Sequence, residues 1–253
     1  MDLAGGWDSA ATLVDGRWIE RRPRRPEVAD QLRRETRLMP RLAPRLPLPV
    51  PVPWVMSDDP VIVRHDLVPG EPLEHPTAAH GHTLGFFLRA LHDCPVDDAI
   101  RHGLKTSADA AGEHAEIVDR FRAQVVPMMP AEHRNAGLAL LDEVGEWTGD
   151  TVVHGDLGPE HVLTSEGAIT GVIDFGDAHA GDAAIDLAWA LNGTLPAFAE
   201  ALGAAYGVTD SQRERALAWH RLGPWYEVTY GLDTNDSDTV HNGLDGLVRR
   251  LFS

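Results

Sequence analysis

Two short runs of alternating character, residues 10–14 and 17–21, flank Asp15-Gly16, a two-residue turn that favours a β-hairpin. Val28, Leu32, Leu38 and Leu42 then recur on a helical period among arginines, predicting a helix over Pro26–Leu42. Prolines at 40, 44, 47, 49, 51 and 53 predict polyproline or irregular connection through residues 39–54. Residues 60–67 (PVIVRHDL) read as a buried strand that ends at Pro69-Gly70. Beyond residue 75 the pattern becomes helical. Leu84, Phe87, Leu88 and Leu91 share one face of residues 80–92, and residues 108–126 and 136–147 follow as amphipathic helices. The β-branched runs Thr151–Val153, Val162–Ser165 and 169–173 interrupt them as one hairpin system, before helical text resumes at Ala183. The expected architecture is a small mixed lobe, residues 1–68, joined to a mainly helical lobe, residues 69–253, with one β-insertion.

Composition narrows the class. Hydrophobic residues make up 43% and charged residues 24% of 253, as in an ordinary globular protein. No apolar run reaches the roughly 18 residues of a membrane helix, and no secretory signal opens the chain. A lone cysteine, Cys94, cannot form an internal disulfide, which favours the cytoplasm. Charge is uneven: residues 1–50 hold ten arginines against seven acids, while the remainder holds 12 basic residues against 32 acids. An acidic body argues against nucleic acid as a partner and suits a cationic one. Lys105 is the only lysine, so any other cation must be arginine or histidine.

Chemistry concentrates in residues 152–191. A strand delivers His154-Gly155-Asp156 into a turn, His161 opens the next strand, and Asp174 leaves a third, 18 residues after Asp156. Two carboxylates and an imidazole at one edge suit a divalent cation plus a base that orients a hydroxyl. Taken alone, the cluster fits a metal-dependent hydrolase equally well.

These residues resemble a known family. His154-Gly155-Asp156, His161, Ile173-Asp174-Phe175-Gly176, Gly181-Asp182 and Asp186-Leu187-Ala188 resemble the successive loops of the aminoglycoside phosphotransferases. The resemblance implies an α+β, two-lobed, protein-kinase-like fold, and Mg2+-dependent transfer of the γ-phosphoryl group of ATP or GTP to a hydroxyl of an aminoglycoside-like, cationic acceptor. Macrolide or other metabolite kinases, and a nucleotide-binding pseudokinase, are the alternatives. By resemblance, Asp156 is the catalytic aspartate that also meets the acceptor, and Asp174 and His161 hold magnesium. A histidine at 161 resembles the 2″-aminoglycoside and macrolide branches. His154 is expected to brace the loop and Asp186 to tie down loop amides. Phe175 is expected in the core, with Asp177 and Asp182 as solvated carboxylates.

The N-terminal lobe matches more loosely. Gly6-Trp7-Asp8-Ser9 resembles the nucleotide-covering turn, Arg21 stands where the family commonly has lysine, and Glu35 resembles its helix partner. Residues 64–67 with Pro69-Gly70-Glu71 resemble the hinge. Gly6 follows closely on Met1, so the lobe is expected to lack part of the family's sheet. Among Trp225, Tyr226, Glu227, Tyr230, Asp233, Asp236 and Asp238, the acceptor-binding candidates are Glu227 and Asp233. His80 and His82 are expected on the solvated surface.

Overall fold

The computed structural model describes residues 9–145 and 147–252. The expected turn at Gly6, Trp7 and Asp8 lies outside these residues. β1 (Ser9–Val14) and β2 (Trp18–Pro23) form the expected hairpin. Its turn holds Asp15 and Gly16 at φ 53° and 66°, a reversal that glycine makes without steric cost. α1 (Pro26–Leu42) follows, then β3 (Trp54–Asp58) and β4 (Val61–Asp66). The four strands form an antiparallel sheet in the order β1-β2-β4-β3. α1 belongs to both lobes. Val28 and Leu32 in its first half meet Val61 and Val63 of β4, whereas Leu38, Met39 and Leu42 join the main core.

The helix expected over Pro26–Leu42 is found with those bounds, so the irregular connection expected over residues 39–54 begins only after it, and its last residue belongs to a strand. α1 runs through Pro40. Pro40 forfeits the bond that an N–H there would donate to the Thr36 carbonyl, and burial of Met39 and Leu42 holds the last turn in place. At the other end, Trp54 starts strand β3, whose ladder with β4 begins at the pair Trp54 and Arg64, just past the last proline.

The larger lobe opens with β5 (Glu71–Pro72), α2 (Ala78–His92), α3 (Val96–Arg101) and α4 (Ser107–Arg120). The helix expected to reach residue 126 stops at Arg120. It passes into a π-helical turn, Phe121–Val125, where the Val126 N–H donates to the Phe121 carbonyl, and then into a 3-10 turn that contains Pro127. α5 (Arg134–Gly145), β6 (Thr151–Val153), β7 (Val162–Ser165), β8 (Ala168–Val172) and β9 (His179–Gly181) come next. The expected single hairpin system is in fact two sheets: β7 pairs with β8 and β5, while β6 pairs with β9. α6 (Ala184–Asn192), α7 (Pro196–Tyr206), α8 (Asp210–Thr234) and α9 (Ser237–Leu251) complete the fold. Among the described residues, no helix is long and apolar enough to cross a membrane.

Two apolar clusters hold this lobe. Leu84, Phe87, Leu88 and Leu91 of α2 pack with Leu187 of α6 and with Phe198 and Leu202 of α7. The α2–α7 crossing is close because Gly81 carries no side chain: a Cβ there would lie 2.3 Å from the Phe198 carbonyl oxygen. The second cluster centres on Trp225 of α8, with Phe121, Leu140, Leu141, Val228 and Leu247. Trp219 packs against both clusters, so the two halves of the lobe are fixed relative to each other.

Candidate active site

Burial and hydrogen bonding make the loop after β6 rigid. His154 is fully buried, and its Nε2–H donates to the Ile173 carbonyl at 2.9 Å. That fixes the neutral tautomer, and Nδ1 accepts the Asp156 amide at 3.3 Å. Burial also holds the imidazole's pKa below its ordinary value. Asp186, in the first turn of α6, accepts the amides of His154 and Gly155 at 2.7 and 2.9 Å and His92 Nε2–H at 3.0 Å. Burial alone would raise its pKa, but these donors outweigh it and hold the carboxyl below the ordinary value. Gly155 sits at φ 88°, and a Cβ there would lie 2.4 Å from the Asp177 carbonyl oxygen. The loop can approach residue 177 only with glycine at 155.

Asp156 projects from this braced loop with its side chain 63% exposed. Desolvation raises its pKa, with His161 and His154 opposing. His161 donates Nδ1–H to the Asp156 carbonyl at 2.6 Å, and its Nε2 lies 3.8 Å from Asp174 Oδ2. Asp174 follows β8 and adopts φ 65°. The other described non-glycine residues at positive φ, Asp15, Glu166 and Asn235, lie in turns or at a helix end; Asp174 holds this conformation in the site itself. Burial works to raise its pKa, but Arg21 and His161 pull harder and keep it low.

From the opposite lobe, Arg21 of β2 donates to Glu35 of α1 at 2.6 Å and to Ser9 Oγ at 3.1 Å. Its guanidinium lies 3.8 Å from Asp174 Oδ1, so the cation links the two lobes. Burial pushes Glu35 up to about 7, against the pull of Arg21. Between its ordinary value of 4.5 and that value, the folded protein keeps a proton that the unfolded chain has lost. This contribution to stability is therefore present at acid pH and fades as pH rises towards neutrality. Glu35→Gln is expected to flatten the pH dependence of the urea midpoint between about pH 5 and 7. An unchanged slope would show that Glu35 titrates normally.

Asp174 supplies the oxygen donor that a hard cation shared with phosphates takes, and His161 adds a softer imidazole nitrogen beside it. Among the described residues, no three His, Cys, Asp or Glu side chains group closely enough to hold a metal ion by themselves. His161 Nε2 and an Asp174 oxygen stand side by side, however. Magnesium usually takes one or two protein ligands, with phosphates and water completing the shell.

Beyond Asp156 opens a cleft of about 500 Å³. Its polar wall mixes the carboxylates of Glu113, Asp156 and Asp177 with Lys105, Arg250 and the imidazoles of His114, His179 and His220, and Ile117, Ile185, Trp189, Trp219 and Tyr226 form its apolar one. Asp156 thus stands between the Asp174–His161 pair and an open, aromatic-lined space.

A model of the phosphotransferase enzyme family matches residues 2–224. The chain belongs to this family. Solved structures of similar fold include the GDP and kanamycin complex of APH(2″)-IIia, with TM-score 0.86, 24% identity, and coverage of 99% of this chain and 92% of that one. The GDP complex of wild-type aminoglycoside 2′-phosphotransferase-IIIa matches with TM-score 0.84 and 25% identity, over 99% and 91% of the two chains. A macrolide 2′-phosphotransferase from Brachybacterium faecium matches with TM-score 0.75 and 24% identity, over 97% and 90%. Comparison with curated protein sequences finds no match.

In this phosphotransferase, Asp156, His161, Asp174, Arg21, Glu35 and Ser9 come together at the junction of the lobes. Glu227 does not line the cleft at Asp156; it faces an adjoining pocket with Asn192, His220, Asn242 and Arg249. Asp233 pairs with Arg120 at 2.6 Å. Trp225 is core, and Asp236 caps α9 by accepting the amides of Asp238 and Thr239. Phe175 is buried against His154, with ring centroids 4.8 Å apart. Asp182, expected in solvent, is buried and held by Arg215 at 2.8 Å, because α8 packs over the start of α6. His80 is likewise buried, facing the Gly167 carbonyl at 2.9 Å. The sequence reading missed Lys105, Glu113, Trp189 and Trp219, which reach the cleft from α6, α8, α4 and the segment just before α4. Periodicity gives a weak signal for α4, where Ala110, Glu113, His114 and Ile117 share one helical face.

Proposed function

We propose that this phosphotransferase moves the γ-phosphoryl group of ATP or GTP to a hydroxyl of a cationic, aminoglycoside-like acceptor held in the cleft at Asp156. The observation that carries this reading is the position of Asp156, between the pair formed by Asp174 and His161 and a roomy, aromatic-lined cleft that also presents Asp177 and Glu113. Support also comes from the solved neighbour that binds GDP and kanamycin together.

The chain's residues divide the work. Asp156 orients the acceptor hydroxyl and takes its proton; its side chain stays accessible to the acceptor, while partial desolvation raises its pKa and favours proton acceptance. Asp174 and His161 Nε2 would hold Mg2+, which supplies charge neutralisation on the phosphates. Arg21, oriented by Glu35 and Ser9, presents a planar cation towards the same phosphates. Asp186 and His154 keep Asp156 in place, and in a loose transition state such positioning provides much of the catalysis. In this reading residues 1–68 form the nucleotide lobe and residues 69–253 the acceptor lobe. The acidic body and lone Cys94 support a small-molecule enzyme of the cytoplasm.

The set that the described residues bring to the lobe junction, Asp156, His161, Asp174, Arg21 and Glu35, favours turnover over nucleotide binding alone. Acceptor-dependent release of nucleoside diphosphate tests the reading, with kanamycin and a macrolide compared as acceptors. Release driven by kanamycin supports it, and release driven only by the macrolide moves the acceptor class. If nucleotide binds but neither acceptor stimulates release, either the acceptor is of another class or the protein is a pseudokinase.

A further inference from the structure

Lys105 is the chain's one lysine, and it stands in the wall of the cleft. Its backbone is pinned: Lys105 forms a parallel bridge with His179, and its carbonyl accepts the Ala180 amide at 2.9 Å. The side chain crosses to α4 and meets Glu113 Oε2 at 2.5 Å. Glu113 also lines the cleft, with 59% of its side chain exposed. Apart from Asp156 and Asp177, it is the carboxylate that the described residues bring to this space. Lys105 and Arg250 both line the cleft, and in a cleft for cationic acceptors Glu113 neutralises the first of them.

We propose that Glu113 receives an ammonium group of the acceptor and that Lys105 is the internal cation holding its place in the free enzyme. Binding then exchanges one charge-assisted partner of Glu113 for another. The carboxylate is kept aimed across the cleft, and the side chain of Lys105 gives way on its fixed backbone. This assignment rests on the cleft being the acceptor site. It places recognition on α4, one wall away from Asp156, so it acts on acceptor affinity and not on proton transfer.

Steady-state kinetics with kanamycin as acceptor test it. Glu113→Gln is expected to raise the KM for kanamycin about tenfold, with kcat and the nucleotide KM little changed. Lys105→Met is expected to lower the kanamycin KM, and this gain should vanish in the Glu113→Gln background, because the two residues compete through one carboxylate. Glu116→Gln, on an exposed part of α4 outside the cleft, controls for general loss of negative charge and should match wild type. A kanamycin KM within twofold of wild type in Glu113→Gln would overturn the assignment, as would an equal loss in Glu116→Gln. If wild type itself fails to phosphorylate kanamycin, the acceptor reading falls and this assignment falls with it. Phosphorylation by wild type with an indifferent Glu113→Gln removes the assignment alone.

Discussion

Asp156→Asn is expected to lower kcat by about 10²- to 10⁴-fold, the usual contribution of a positioned general base. The substitution is nearly isosteric, and the groups that set the loop do not involve the carboxylate: His154 receives the residue-156 amide and His161 donates to the residue-156 carbonyl. Folding and nucleotide affinity should therefore stay close to wild type, and the loss should appear in kcat. Ionisation sharpens the expectation. Desolvation raises the Asp156 pKa, so the acid limb of the wild-type rate profile should lie above the ordinary aspartate value of 3.8. Rate measurements against pH, together with nucleotide titration of the variant, check both parts. A variant with near-normal kcat would remove Asp156 from the chemistry.

Asp186→Ala is expected to have the largest effect on stability, about 3–5 kcal/mol, read as a fall in the urea midpoint. Its carboxylate is fully buried and accepts two backbone amides and an imidazole N–H. Removing it strands the amides of His154 and Gly155 without partners in an interior that water does not reach. His92 loses one anchor but keeps its contact with the Tyr206 hydroxyl at 2.8 Å. The wild-type pH dependence carries the same signature. Because the folded protein holds the Asp186 pKa below 3.8, this stabilisation is present above that value and is lost as pH falls through the folded value. Loss of less than about 1 kcal/mol would mean that the loop has other sufficient anchors.

The parts of the site that could be read from sequence are those set by local spacing. His154, Asp156, His161 and Asp174 lie within 21 residues on consecutive strands and turns, so short-range geometry gathers them. The Arg21–Glu35 pair is also short-range, joining a strand to the helix that follows it. The acceptor wall is different. Glu113 on α4, Trp189 on α6 and Trp219 on α8 meet only after the two apolar clusters have packed. Tyr226 and Glu227 show why neighbours in sequence mislead here. Consecutive residues on a helix point about 100° apart, so Tyr226 lines the cleft at Asp156 and Glu227 its neighbour. Asp182 reads as a surface acid because its partner, Arg215, is 33 residues away. Strand β3 was hidden by the prolines before it, since its pairing with β4 is a tertiary event.

The most direct test of phosphoryl transfer at Asp156 is the intact mass of the acceptor after incubation with the protein, Mg2+ and either ATP or GTP. The account predicts a phosphate-sized gain on a hydroxylated, cationic acceptor such as kanamycin, present with wild type and absent with Asp156→Asn. Unmodified acceptor in the presence of bound nucleotide, or a gain that persists in Asp156→Asn, would contradict it.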